Sequence, residues 1–254
     1  MCLALVALDA HPQLALVIAA NRDEFHARPA KTAHWWPDGT LAGVDLEAGG
    51  TWFGVTQRGR WALVTNFREG IPRDPNAPSR GGLVTRALAD DAAPLVAAAT
   101  IAADGARYHG YNLLVGEVTN AAYTSNRASG AVALGRGIHG LSNHLLETPW
   151  PKLVRAKARL AACLGHNAVD IESLFELLAD RNQAEPAALP STGIAPEWER
   201  LLSSAFIVDG GYGTRCSTVL TIDRDGGGHF VERSFDPHGN GAEEVAYAFA
   251  LIGA

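Results

Sequence analysis

Cysteine is scarce in this 254-residue chain, and the scarcity excludes more than it leaves open. The three cysteines, Cys2, Cys163 and Cys216, lie far apart and form no CxxC pair. Neither a disulfide framework nor a thiolate zinc site is indicated, and a reducing cytoplasm is the expected compartment. No apolar stretch reaches the length of a membrane span. A secretory leader needs a positive segment ahead of its apolar core, whereas MCLALVALDA runs directly into polar and acidic residues. There is no Lys/Arg run, and the net charge is -6, so nucleic acid is not an expected partner. GxSxG is absent, which removes the nucleophile elbow of α/β-hydrolases. The nine histidines form no HExxH or HxxxH, so no helix presents a zinc pair and no metal is expected. Lysine is rare while Ala and Gly are plentiful, a composition that suits a GC-rich bacterial genome.

What is present is ordinary globular composition, with 47% apolar and 19% charged residues. Two apolar runs, Cys2–Leu8 and Leu14–Ala20, flank the turn-rich DAHPQ. They read as a hairpin apolar on both faces, suited to a sheet covered on both sides. NRDEFHARP is expected to leave the sheet. TWFGVTQ and RWALVTNF, joined by RG, are the clearest β signal. Residues 68–80 form a proline-rich loop. Leu83–Ala103 reads as two helices broken before Pro94. YNLLVGEV, AAYTSN, AVAL and GIHGLSN are strands. An amphipathic helix starts near Pro149, and DIESLFELLAD is another. Asn182–Trp198 is a loop. SAFIVDG, RCSTVLTID, HFVERSF and VAYAFALI close the chain as strands. Strands in antiparallel blocks with helices clustered between them predict an α+β fold of two sheets face to face with helices outside. No linker or repeat interrupts it, so residues 1–254 are read as one domain.

Two motif matches fail on context. GRGIHG (135–140) has GxGxxG spacing, but no helix opens at its third glycine as dinucleotide binding requires. DRDGGG (223–228) begins like a calcium loop, yet the twelfth position is Ser234 rather than the bidentate Glu. It reads as a hairpin turn.

Cys2 stands directly behind the initiator methionine. A free cysteine packs as a small hydrophobe. If the methionine is removed, though, Cys2 carries a thiol and a free α-amine on one residue. Such an amine titrates near ~7.7–8.0 and can take the thiol proton. Polar residues break out of apolar runs at Asn21, Arg22, Asp23, Asn66, Asn143 and Arg215. Gathered at strand ends with a cysteine at the chain start, they suggest a site.

NRDEF (21–25), GGTW (49–52), TN (65–66), LSN (141–143), LETPW (146–150), YGTR (212–215) and ERS (232–234) occur in this order. Nearly end to end, they resemble the signature of the NRDE family, that of transport-and-Golgi-organisation protein 2. This family is in turn similar to N-terminal nucleophile hydrolases of the choloylglycine hydrolase and penicillin V acylase group. The resemblance implies a four-layer αββα sandwich. It implies Cys2 as nucleophile, Asp23 holding the α-amine, Asn66 and Asn143 on substrate and oxyanion, and Arg215 near the thiol. Cys2, Asp23, Asn143 and Arg215 are thus the candidate catalytic residues. Asn21, Arg22, Asn66 and Trp52 are the candidate substrate contacts. One departure stands out. Those hydrolases carry Arg-Asn-x-Asp where this chain has Ala20-Asn21-Arg22-Asp23. Strand alternation sets Arg22 opposite to Asn21 and Asp23, so Arg22 is not expected to replace the missing arginine.

Two functions follow as expectations. One is an amidohydrolase or acyltransferase for a small, partly apolar substrate, in a cleft that Trp35, Trp36, Trp52 and Trp61 could line. The other is a carrier using the same cleft for haem or for a lipid or acyl-coenzyme A cargo. No resident cofactor is expected beyond haem as cargo, and the oligomeric state is left open.

Overall fold

The computed structural model describes residues 2–72 and 74–252. The chain opens with the hairpin β1 (Cys2–Leu8) and β2 (Leu14–Phe25). Ala4, Val6, Leu8, Leu16 and Ile18 face the centre of the molecule, while Leu3, Leu5, Val17 and Ala19 face a helical layer. This is the period-two alternation of strands buried on both sides.

Then come β3 (Ala30–Trp35), β4 (Thr40–Asp45), β5 (Phe53–Thr56) and β6 (Trp61–Asn66). Helices α1 (Gly81–Ala89) and α2 (Pro94–Ala103) follow. Strands β7 (Tyr111–Gly116), β8 (Ala121–Ser125), β9 (Ala131–Leu134) and β10 (Gly137–Leu141) lead to α3 (Pro151–Leu164), α4 (Ile171–Leu178) and α5 (Pro196–Leu201). The chain returns to strand in β11 (Tyr212–Asp223), β12 (Gly227–Phe235) and β13 (Gly241–Ala250).

The thirteen strands make two antiparallel sheets. One has six strands in the order β10-β1-β2-β11-β12-β13, and the other is a seven-stranded meander from β3 to β9. Phe53, Trp61, Leu63 and Phe230 fill the space between them. Fully burying such a side chain contributes roughly 1.5–3 kcal/mol each. On the outside of the first sheet, Leu153 and Leu160 of α3 and Leu174 and Leu178 of α4 cover Leu3, Leu5 and Val17. On the outside of the second, Leu83 and Val84 of α1 and Ile101 of α2 cover Val64, Leu113 and Val115. The architecture is the α+β sandwich of four layers, αββα. Glu232 of β12 joins the sheets, accepting from the Ala33 N–H of β3 at 2.8 Å.

Four local expectations change. NRDEF does not leave the sheet: β2 runs on to Phe25, because Asp23, Glu24 and Phe25 pair with Thr214, Gly213 and Tyr212. Ladder pairing outweighs the poor strand propensity of these residues. β3 and β4 form a hairpin the sequence left unread, turning at Gly39 with φ +81°. SAFIVDG is not a strand. Its Ile207 N–H donates to the Thr214 hydroxyl and its Phe206 N–H to the Asp180 carbonyl, so it docks on loop and side-chain groups. Helix α3 begins at Pro151, two residues after the expected start, and α5 begins inside the expected loop and runs three residues past its end. GRGIHG enters β10 rather than a helix. DRDGGG is a hairpin turn, its Asp223 carboxylate accepting from the Asp225 and Gly227 N–H groups.

Candidate active site

Cys2 heads β1, and its carbonyl accepts from the Ser142 hydroxyl at 3.1 Å, which ties the strand head to the segment after β10. In the ladder Cys2 stands opposite Arg22, Arg22 opposite Cys216, and Cys216 opposite Ser234. Directly opposed residues project to one face. The row therefore continues the inward-facing line of Ala4 and Ala20 towards the second sheet.

Cys2 is half-buried and lines a cleft of about 360 Å³. Arg22 lines it too, with its guanidinium 4.3 Å over the ring of Trp52, which stands just before β5. This reverses the geometric expectation for Arg22. Alternation does set it opposite to Asn21 and Asp23, but the face in question is the one Cys2 shares with Arg22. Arg22 is only 6% exposed. It makes no hydrogen bond or ion pair among the described residues, so its N–H groups are open to the cleft. The cleft's other arginines are engaged. Arg28 pairs with Asp45 at 2.7 Å and Glu47 at 3.0 Å, and Arg80 donates to the Gly110 carbonyl.

Of the four tryptophans expected to line an apolar cleft, Trp52 does so. Trp61 is buried in the core with its N–H on the Glu117 carbonyl, Trp35 packs edge-on to Phe249, and Trp36 donates to the Ala42 carbonyl. Glu24, Asp74 and His109 line the cleft as well, beside Val64, Pro75, Ala77 and Pro78, so it is charged and partly apolar.

The odd face of β2 points towards the helices. Asn21 donates to the carbonyls of Leu178 and Ala205 and accepts from the Ser217 hydroxyl. Its amide is committed to the scaffold, which removes the expected substrate contact. Asp23 is buried, accepts from the Thr214 hydroxyl at 2.7 Å, and reaches the cleft beside Cys2. Burial pushes its carboxyl above the usual range, opposed by Lys152, the Thr214 hydrogen bond and Arg68. The Tyr212 hydroxyl donates to the Asp23 carbonyl. Burial raises this phenol well above its ordinary value.

Lys152, in the first turn of α3, is 1% exposed. Its ammonium nitrogen has no hydrogen-bond partner among the described residues. Burial pulls it down to about 8, with Asp23 acting in the opposite sense. Nearby Arg68 forms a buried ion pair with Glu199 and stacks on Trp150 at 4.5 Å.

Asn143 and Arg215 are placed differently from expectation. Asn143 is fully buried and donates its amide N–H to the Asn66 carbonyl at 3.0 Å. It braces Asn66, and Asn66 is the asparagine on the cleft. Arg215 is the extra residue of a bulge between Thr214 and Cys216. It donates to the carbonyls of Phe25, His26 and Arg28 and so clamps the turn after β2. It lines a neighbouring pocket of about 220 Å³, shared with Arg22, Trp52, Cys216 and Glu232. The asparagine and the unpaired arginine that line the cleft with Cys2 are thus Asn66 and Arg22.

Lys152 and the Arg68–Glu199 pair escaped the sequence reading. A signal existed for Lys152, since a lysine in a first helical turn opposes the helix dipole and here follows directly on LETPW. Arg68 lies in the loop after β6 and Glu199 on the short helix α5, with no such signal. Among the described residues no cluster of His, Cys, Asp and Glu could hold a metal ion, and no helix is long and apolar enough to cross a membrane.

The model of the family Transport and Golgi organisation 2 matches residues 1–237. The chain is 36% identical over 276 residues to the human Transport and Golgi organization protein 2 homolog, covering 99% of both chains. To the Drosophila melanogaster Transport and Golgi organization protein 2 it is 29% identical over 272 residues, covering 94% of this chain and 95% of that one. These relatives are animal proteins and lend no support to a bacterial origin. Among solved structures, a mutant conjugated bile acid hydrolase from Clostridium perfringens is similar with a TM-score of 0.52 at 7% identity, covering 97% of this chain and 92% of that one. A second variant of that enzyme is similar with a TM-score of 0.51 at 7% identity, covering 98% of each chain. At that identity the likeness is one of fold. On the family match and the full-length relatives, the chain belongs to the Transport and Golgi organisation 2 family.

Proposed function

We propose that this protein is an acyl-transfer enzyme in which the Cys2 thiol attacks an amide or thioester carbonyl. The observation that carries the reading is the position of Cys2, half-buried on the cleft with the open Arg22 guanidinium opposite it in the ladder. The fold it shares with a conjugated bile acid hydrolase supports the same chemistry.

The scheme requires Cys2 as the first residue of the mature chain; Met1 lies outside the described residues. The α-amine takes the thiol proton as sulfur bonds to the carbonyl carbon. The Asn66 amide and the Arg22 guanidinium then hold the oxyanion, a single such donor being worth about 2.7–4 kcal/mol. The ammonium returns its proton to the leaving amine or thiol, leaving an S-acyl enzyme. Water, deprotonated by the same amine, releases the acid and restores the thiol. Asp23, beside Cys2 on the cleft, keeps the amine oriented. The charged, partly apolar lining and the open Arg22 favour a small, partly apolar substrate bearing an anionic group. The charged part of the lining weighs against a wholly apolar lipid cargo.

Intact-mass analysis tests the first requirement, loss of Met1. Incubation with amide and thioester panels tests the second, and an acyl adduct at Cys2 is expected. Retained Met1 with no adduct, alongside a Soret band on adding haem, would overturn the enzyme and install the carrier.

A further inference from the structure

Asp23 has to be a carboxylate to orient an α-amine, yet it is buried, and burial opposes its charge. The charged and titratable groups around that corner come from each element packed on it. They are Cys2 of β1, Asp23 and Glu24 of β2, Arg68 after β6, Lys152 and Arg155 of α3, and Tyr212 of β11. Arg68 is paired with Glu199, and Arg155 with Asp180. Tyr212 brings a neutral hydroxyl. Among the described residues Lys152 is the cation left over. It is almost completely buried, held at the start of α3 by Leu153 in the core, and its nitrogen makes no hydrogen bond among the described residues. A lysine in that setting persists as a cation only if a nearby anion compensates for its lost water.

We propose that Lys152 is a positioning residue of this site: the buried counter-cation that keeps Asp23 a carboxylate, and through Asp23 sets the reactivity of Cys2. The second half of this inference rests on the reading of Cys2 as nucleophile; the first half does not.

The chain has three lysines, Lys31, Lys152 and Lys157. Lysine-labelled full-length protein therefore gives three side-chain resonances to follow by NMR through pH 6–11. Lys152 is expected to titrate near 8. In Asp23→Asn it titrates at least about one pH unit lower, the effect of losing an opposite charge within ~4–6 Å. Iodoacetamide labelling of Cys2, resolved by peptide mass spectrometry, is the second readout. Lys152→Met slows it at pH 7 by roughly tenfold, as one buried charge acting through an effective dielectric near ~20 would. Lys152→Arg keeps the charge and restores the rate to within about twofold. The proposal is overturned if wild-type Lys152 titrates at the ordinary lysine position, if Asp23→Asn leaves its titration in place, or if folded Lys152→Met labels like wild type. Should Lys152→Met not fold, the two titrations decide. Failure to trap an acyl adduct on Cys2 would remove the enzyme reading while leaving the Lys152–Asp23 coupling visible by NMR, so the two failures are separable.

Discussion

The buried Lys152 makes stability depend on pH in a direction opposite to that of the buried Cys216 and Tyr212. In the folded chain burial brings its ammonium down to about 8, from an ordinary value of 10.5. Between these two pH values the unfolded chain holds the proton and the folded chain does not. Stability therefore rises with pH through this window, and it carries the full penalty below about 8. At 1.36 kcal/mol per pH unit the gain is roughly 3 kcal/mol. Cys216 and Tyr212 act the other way. Both are buried with values raised well above the ordinary ones. Above about pH 9 the unfolded chain loses those protons first, and stability falls. The wild-type profile alone sums these opposed slopes. The difference between wild type and Lys152→Met isolates the lysine together with the Asp23 carboxyl coupled to it, because Cys216 and Tyr212 are common to both. Urea unfolding at pH 7.5, 9 and 10.5 provides the measurement. Relative to the variant, wild type gains about 3 kcal/mol across that range, most of it between pH 8 and 10. A flat difference curve would show that Lys152 is charged throughout and that a further polar group satisfies its ammonium.

The remaining predictions concern the cleft and its support. Cys2→Ala abolishes any acyl adduct and changes stability by less than about 2 kcal/mol, since Cys2 is only half-buried; a larger loss in urea would assign Cys2 to the core instead. Arg22→Gln lowers the rate of adduct formation at least about tenfold while altering stability by no more than the ~0.5–2 kcal/mol of its stack on Trp52; unchanged kinetics would remove Arg22 from the chemistry. Arg68→Met leaves Glu199 buried and unpaired and costs about 3–5 kcal/mol, much of it recovered in Arg68→Met/Glu199→Leu; if the double variant is no better than the single one, the ion pair is not the source of the loss. Gly43→Ala drives a methyl into the Trp52 ring, so it displaces that ring from Arg22 and changes tryptophan fluorescence and Cys2 labelling together; a wild-type spectrum would mean the ring has room to shift.

Where the sequence succeeded and where it did not follows from how far apart the interacting residues lie. The first hairpin, the helices split at Pro94 and the late strands were legible because local pattern decides them: apolar alternation, a proline, a tight turn. NRDEF was misread because its extended conformation is imposed by Tyr212–Thr214, almost two hundred residues away. The β3–β4 hairpin was missed for a related reason, since its residues acquire their pattern from neighbours in the second sheet. The face occupied by Arg22, by contrast, was within reach. Joining Leu8 to Leu14 across DAHPQ pairs even-numbered residues with even-numbered ones, which sets Cys2 and Arg22 on one side for any change of register by an even number of residues. The structure pairs Leu8 with Leu16 and so preserves that parity. An arginine displaced by two places along a strand keeps its face, because two is the strand's own period. The shift from Arg-Asn-x-Asp to Asn21-Arg22-Asp23 therefore moves the guanidinium one pleat along the row of Cys2 instead of turning it away. What could not be read locally is which asparagine and which late arginine reach the thiol. Asn143 and Arg215 have the right type and order, yet each is drawn into backbone hydrogen bonds by its immediate surroundings, Asn143 by the Asn66 carbonyl and Arg215 by the turn it clamps. A residue's type and order fix which element carries it. Its hydrogen-bond partners, set only when distant strands meet, determine whether any polar group is left for a substrate, and at this cleft those left are on Asn66 and Arg22.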